Sequence, residues 1–200
     1  MDLTLLTKHY FKMKNLVVLF FLPYTFFAQK AIIIPIETEN NALVLCTDKD
    51  NHLNTYCFGK KLYQSNDYAG IEAQYNLKDE SGLYNSVYTS SGSSNLMESA
   101  LTLTHSDGNT STELKYVSHS VAKKTDDITV TSILLRDEIY PIEVTLYYET
   151  YNKENVIVQW SEIKNNETGT IELKNMLRRT CISVQAIIFS RIITEFEDGK

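Results

Sequence analysis

Three adjacent pairs of acids, Asp79-Glu80, Asp126-Asp127 and Asp137-Glu138, are the first residues here that could do chemistry. Two carboxylates flanking a glycosidic bond hydrolyse it when they stand roughly 5–5.5 Å apart (retention) or roughly 6.5–9.5 Å apart (inversion). Strand neighbours point to opposite faces, and all three pairs fall where turns are expected, so they read as solvated turn acids. A serine nucleophile needs a G-x-S-x-G elbow, which the loop Ser90-Ser91-Gly92-Ser93-Ser94 lacks. His105-Ser106-Asp107 offers two ligand types at a strand end, with His52 and His119 elsewhere, but no zinc or calcium spacing surrounds them. No phosphate-cradling glycine loop is present. The sequence therefore assigns no catalytic residue, no cofactor-binding residue and no metal ligand. A weaker signal is aromatic: Tyr147 and Tyr151 share a polar-looking face near Trp160, where rings can stack on sugars. Ordinary cross-strand packing is the favoured reading of these rings.

The elements around these residues are strands. From Glu138 to Leu173 the chain reads as three antiparallel strands. Ile142, Val144, Leu146 and Tyr148 face one way, and Glu143, Thr145, Tyr147 and Glu149 the other. Asn152 to Asn155 turns the chain, and Val156, Val158 and Trp160 resume the alternation. Asn165 to Gly169 turns it again, and Ile171 and Leu173 open a third strand. Upstream, short alternating segments at Ile32–Ile36, Ala42–Thr47, Leu53–Phe58, Gly70–Leu77, Leu101–His105, Thr112–Ser120 and Ile128–Leu135 are separated by Asn/Asp/Gly/Ser clusters. That rhythm predicts an all-β antiparallel sandwich rather than a βαβ fold.

Two hundred residues, 43% hydrophobic and 22% charged, allow one domain with a sizeable core. A net charge of −6 and the absence of a basic stripe argue against nucleic acid; Lys60-Lys61 and Lys123-Lys124 read as solvated loop charges. Cys46, Cys57 and Cys181 form an odd set without metal spacing. Cys46 and Cys57 could close a hairpin disulfide, but small buried thiols are the favoured reading.

Leu16 to Ala28 is a thirteen-residue apolar run preceded by Lys12 and Lys14. A spanning helix needs about 20 apolar residues, whereas this layout matches a secretory signal peptide starting at Met13 and cleaved after Ala28 or Gln29. Residues 1–29 are accordingly an upstream extension plus signal, with the mature chain periplasmic or secreted and no membrane contact after cleavage. The sandwich domain is assigned to 30–175. Residues 176–200 drop the strand–turn rhythm. They read either as an amphipathic helix with Leu177, Cys181, Val184 and Ile188 on one face, or, by preference, as an aberrant tail from a coding frame lost near Asn175, helical or disordered.

Three stretches carry a family resemblance: HLNTYCFGKKL (His52 to Leu62), ESALTLTHSDGNTSTELKYVSH (Glu98 to His119) and LLRDEIYPIEVTLYYETYNKENVIVQWSEIKNNETGTIEL (Leu134 to Leu173). Together they resemble the N-terminal domain of family 36 α-galactosidases of the Bacteroidetes secreted type, over about Ile32 to Lys174. The resemblance implies a β-supersandwich preceding a (β/α)8 barrel in a retaining enzyme acting on terminal α-galactosides. It places the catalytic aspartates in the barrel, beyond residue 200, so none is carried onto this chain. The partners it implies are that barrel and neighbouring subunits, whose active sites the domain can border; the loop Ser90 to Leu96 sits where such a contribution arises. The expectation is a non-catalytic fragment, inactive alone. The alternative is a free-standing carbohydrate-binding or adhesin-like sandwich.

Overall fold

The computed structural model describes residues 31–70, 85–176 and 188–192. In chain order the strands are β1 (Ile33–Glu37), β2 (Asn41–Thr47), β3 (Leu53–Lys60), β4 (Leu101–Thr104), β5 (Leu114–Lys123), β6 (Ile128–Asp137), β7 (Ile142–Tyr151), β8 (Val156–Asn165), β9 (Glu172–Met176) and β10 (Ile188–Ile192). One 3-10 segment, Ser65–Gly70, follows β3. Strands β1-β2-β3 form an antiparallel sheet, β10-β8-β7-β6-β5 a five-stranded sheet, and β4 with β9 a two-stranded one. The fold is all-β, as the alternation predicts.

The period-two pattern of β7 sets the inner face of the large sheet. Ile142, Val144, Leu146, Tyr148 and Thr150 are buried while the residues between them are half-buried. Each large apolar side chain so buried contributes about 1.5–3 kcal/mol. They meet Ile133 and Leu135 of β6, Ile34 and Ile36 of β1, Leu43 and Leu45 of β2, and Leu101 and Leu103 of β4 in one core cluster. A smaller cluster of Ala42, Val44 and Tyr68 lies on the other face of β2. Tyr68 anchors the 3-10 segment there: its hydroxyl donates to Glu37 Oε1 at 2.8 Å and accepts from the Leu62 amide at 3.1 Å. Burial pushes this phenol up to about 12.

Turn residues behave as their types require. Asn51 and Asn155 take left-handed φ values of 64° and 56°, and Gly108 takes 87°. Cys46 and Cys57 are free thiols, so the hairpin carries no disulfide; Cys46 is buried and pushed up to about 11, first by burial.

The third strand of the triplet forms and is antiparallel, with β4 as its partner (Leu103↔Leu173). Alternation fixes which face a residue occupies, not which strand becomes its neighbour. In the tail, Ile188–Ile192 is a strand, parallel to β8 (Ile188↔Ile157), so the helical reading fails over those five residues. The strand predicted over Gly70–Leu77 lies outside the described residues beyond Gly70, as do the signal segment, Asp79, Glu80 and Cys181.

Candidate functional site

Where β4 ends, the chain places an imidazole fully inside the protein: the His105 side chain is 0% exposed and that of Glu167 is 4% exposed. Nδ1 of His105 donates to Glu167 Oε1 at 2.6 Å. The second carboxylate oxygen accepts from the Ser106 amide at 3.1 Å and from the Ser106 hydroxyl at 2.9 Å. Nε2 lies 3.0 Å from Thr112 Oγ1 and 3.1 Å from the Ser111 carbonyl oxygen. A neutral ring accepts from the Thr112 hydroxyl and a protonated ring donates to Ser111; Nδ1 serves Glu167 in both states. Burial alone would raise the Glu167 carboxyl, but the bonds from His105 and Ser106 outweigh it and hold the group below its ordinary value.

The ring of His105 stacks on Tyr140 with centroids 3.5 Å apart at 11°. Tyr140 donates its hydroxyl proton to Asp107 Oδ2 at 2.9 Å and accepts from Asn109 Nδ2 at 2.8 Å. The Asn109 amide and then the Tyr140 hydroxyl hold Asp107 below the ordinary carboxylate value.

A second loop leans on this one. The Ser90 hydroxyl donates to the Thr112 carbonyl and the Ser91 hydroxyl to the Thr110 carbonyl, both at 2.6 Å. The Gly92 amide also donates to the Thr112 carbonyl, at 2.8 Å. Two glycines permit the close fit. A Cβ on Gly92 would stand 2.5 Å from Thr112 N, and one on Gly169 would stand 2.5 Å from Ser106 Cβ. Three loops, 90–97, 105–112 and 165–170, are thereby locked into one platform that presents Leu96 (74% exposed) and Met97 (43% exposed). Ser106 donates to Glu167 and not to His105, and the hydroxyl that meets the imidazole, that of Thr112, is buried with it.

The other acids divide. Asp126 faces Lys123 at 3.0 Å, and Asp127 Oδ1 accepts the Lys153 amide at 3.1 Å, both turn roles. Asp137 departs from the solvated reading. It is buried, and it accepts the amides of Glu113 (2.6 Å), Ile139 (2.7 Å) and Tyr140 (2.8 Å). Asp48, Asp50 and His52 bring ligand atoms within 4.8 Å of one another. The Asp48 carboxylate already accepts the Asp50 and His52 amides at 2.8 Å each, while His52 Nε2 lies 2.8 Å from Glu113 Oε1. The trio serves the β2–β3 turn.

His119 is exposed and meets the Tyr116 hydroxyl at 2.7 Å. Tyr147 and Trp160 stack on each other, with centroids 5.0 Å apart at 8°. Sequence spacing missed Glu167, Thr112 and Tyr140. The His105-Ser106-Asp107 run marked the place but not the partners, because Glu167 stands 62 residues from His105.

The family model for the glycosyl hydrolase family 36 N-terminal domain matches residues 51–185. The chain belongs to this family. The match encloses the whole platform and runs past Lys174, where the sequence resemblance stops, into the segment read as aberrant. An α-galactosidase from Lactobacillus brevis is similar at TM-score 0.61 and 18% identity, over 75% of this chain and 24% of that one. A family 36 α-galactosidase from Geobacillus stearothermophilus, solved with stachyose, is similar at TM-score 0.58 and 19% identity, over 73% and 24%. A second enzyme from that organism gives 0.59 and 17%, over 74% and 24%. The family 36 N-terminal domain chain thus spans about a quarter of the length of these solved relatives, and at such identities the likeness is one of fold. No curated protein matches.

Proposed function

We propose that this chain is the non-catalytic N-terminal β-sandwich domain of a secreted, retaining α-galactosidase that removes terminal α-galactosyl residues from oligosaccharides. The family match over residues 51–185 carries the reading. The solved relatives are α-galactosidases in which the similar region makes up 24% of the chain. The braced platform supports an accessory role, because its hydroxyls, carboxylates and imidazole are committed to one another and its exposed tip is the apolar pair Leu96–Met97. In this role the loop from Ser90 to Leu96 borders the active site of a neighbouring subunit. The basic flank and apolar run of Lys12 to Ala28 support export to the periplasm or beyond.

Two measurements test the reading. The purified full chain is expected to leave an aryl α-galactoside intact, and co-production with the catalytic barrel of a family 36 α-galactosidase is expected to yield a stable, active complex. Turnover by the chain alone overturns the non-catalytic assignment. Retention of a tagged chain in the cytoplasmic fraction overturns the export assignment.

A further inference from the structure

On the outer face of the five-stranded sheet, opposite the core, the register lines up four residues in one row: Ser120↔Ser132, Ser132↔Tyr147 and Tyr147↔Trp160. Their strand neighbours Ile133 and Leu146 are buried, so the row itself stands on the side away from the core. The two rings stack in parallel at 5.0 Å, and the Tyr147 hydroxyl donates to Glu162 Oε2 at 2.9 Å. That bond and the stack on Trp160 fix the orientation of the phenol ring. The other face of the ring looks along the row toward two short side chains, Ser132 and Ser120, whose hydroxyls lie 2.8 Å apart. In the adjoining row Glu149 holds Lys124 at 2.9 Å and is 14% exposed.

An upright ring beside a floor of hydroxyls, with a carboxylate at its edge, matches the chemistry of one ligand class. A pyranose presents an apolar patch of C–H groups on one face and hydroxyls around its rim. The patch complements the negative face of a fixed phenol ring, and the rim exchanges hydrogen bonds with serine hydroxyls and a carboxylate. Strands about 4.8 Å apart leave a ring-thick slot above Ser132, because the side chain there is short. We propose that the Ser120–Ser132–Tyr147 row is a saccharide-stacking subsite for a pyranoside unit of an oligosaccharide, with Trp160 backing the platform ring. The site lies on a different face from the core and is independent of catalysis; only the choice of a galactosyl probe rests on the function proposed above.

The test uses the full chain and stachyose as probe, read by saturation-transfer proton NMR and by emission of Trp160, the chain's one tryptophan. Saturable binding with a dissociation constant of about a millimolar is expected, as a small site with one stacked ring supplies. Ser132→Leu, which fills the slot but leaves both rings, should weaken binding at least about tenfold, as should Tyr147→Ala. Tyr147→Phe, which keeps the ring, should stay within about threefold of the parent. If a Tyr147→Ala protein fails to fold, Ser132→Leu alone decides. Equal binding by Ser132→Leu and the parent overturns the proposal, and so does an absence of saturation transfer to both stachyose and maltotriose; transfer to stachyose alone supports a galactosyl-selective site. Transfer to both sugars supports a general pyranoside site. A chain that binds stachyose yet assembles with no barrel keeps this inference and sinks the accessory-domain reading, so the two failures are distinguishable.

Discussion

Glu167 binds three donors from two neighbouring residues, and with a side chain 4% exposed it is the member of the loop platform whose loss should be felt most. Glu167→Ala strands the Nδ1 proton of a fully buried imidazole and frees the Ser106 amide. Removing one partner of such a buried pair should lower stability by about 3 kcal/mol, measurable by urea denaturation of the full chain; a loss under about 0.5 kcal/mol would show that water replaces the carboxylate without penalty. The same group sets a pH dependence. Its folded value lies below the ordinary 4.5, so its stabilisation is complete above that value and drains away as pH falls through the lower, folded one. Urea midpoints of the parent should therefore drop on acidification below about pH 4.5 by more than those of Glu167→Gln. Parallel acid profiles for the two proteins would remove Glu167 as the cause. In the sequence this residue is one acid of a surface turn; nothing local marks it, because the contact that matters closes across 62 residues.

The platform's loops depend on close backbone approach. Gly92→Ala would place a methyl 2.5 Å from Thr112 N and 2.7 Å from Thr112 C. Neither backbone atom can swing aside as a side-chain end can, so the loops must part and the bond from Ser90 to Thr112 must lengthen. We expect a loss of about 2 kcal/mol. Gly59→Ala is the control: its Cβ would meet nothing within 4 Å, and its effect should stay within about 0.5 kcal/mol. Equal thermal shifts for the two variants would mean that the close approach carries no cost. At this scale β7 was fully legible, since strict alternation from Ile142 to Thr150 leaves one register for a half-buried strand. The place of β9 was not. Gly169 packs against Ser106, and the strand beyond it leaves β8 to pair with β4, a choice made by tertiary packing that alternation cannot encode. The stacked Tyr147–Trp160 pair lies between these cases: packing was the favoured reading and packing is present, yet only the register shows the serines beside it.

At the scale of the molecule, the three sheets share one core rather than three. Ile34 of β1, Leu45 of β2, Leu101 of β4, Ile133 of β6, Leu146 of β7 and Ile157 of β8 are each at most 1% exposed and belong to a single cluster. A core shared in this way couples the sheets, because none can release its inner face without exposing the others' apolar surface. Unfolding should then be one transition for the sandwich, despite the sheets being separate in their hydrogen bonding. Two signals make the point measurable: Trp160 emission follows the five-stranded sheet, while the far-ultraviolet signal follows all strands. Both should give the same midpoint in urea. Leu146→Ala, at the centre of β7, should move both midpoints together by about 3 kcal/mol, the usual cost of a cavity at a site that cannot collapse. If the emission midpoint moves and the far-ultraviolet midpoint does not, the sheets unfold independently and the cluster does not act as a common core. Coincident shifts would locate the stability of this sandwich in the packing between its layers, the property it needs to hold the loop platform at one end and the Tyr147 row on its outer face.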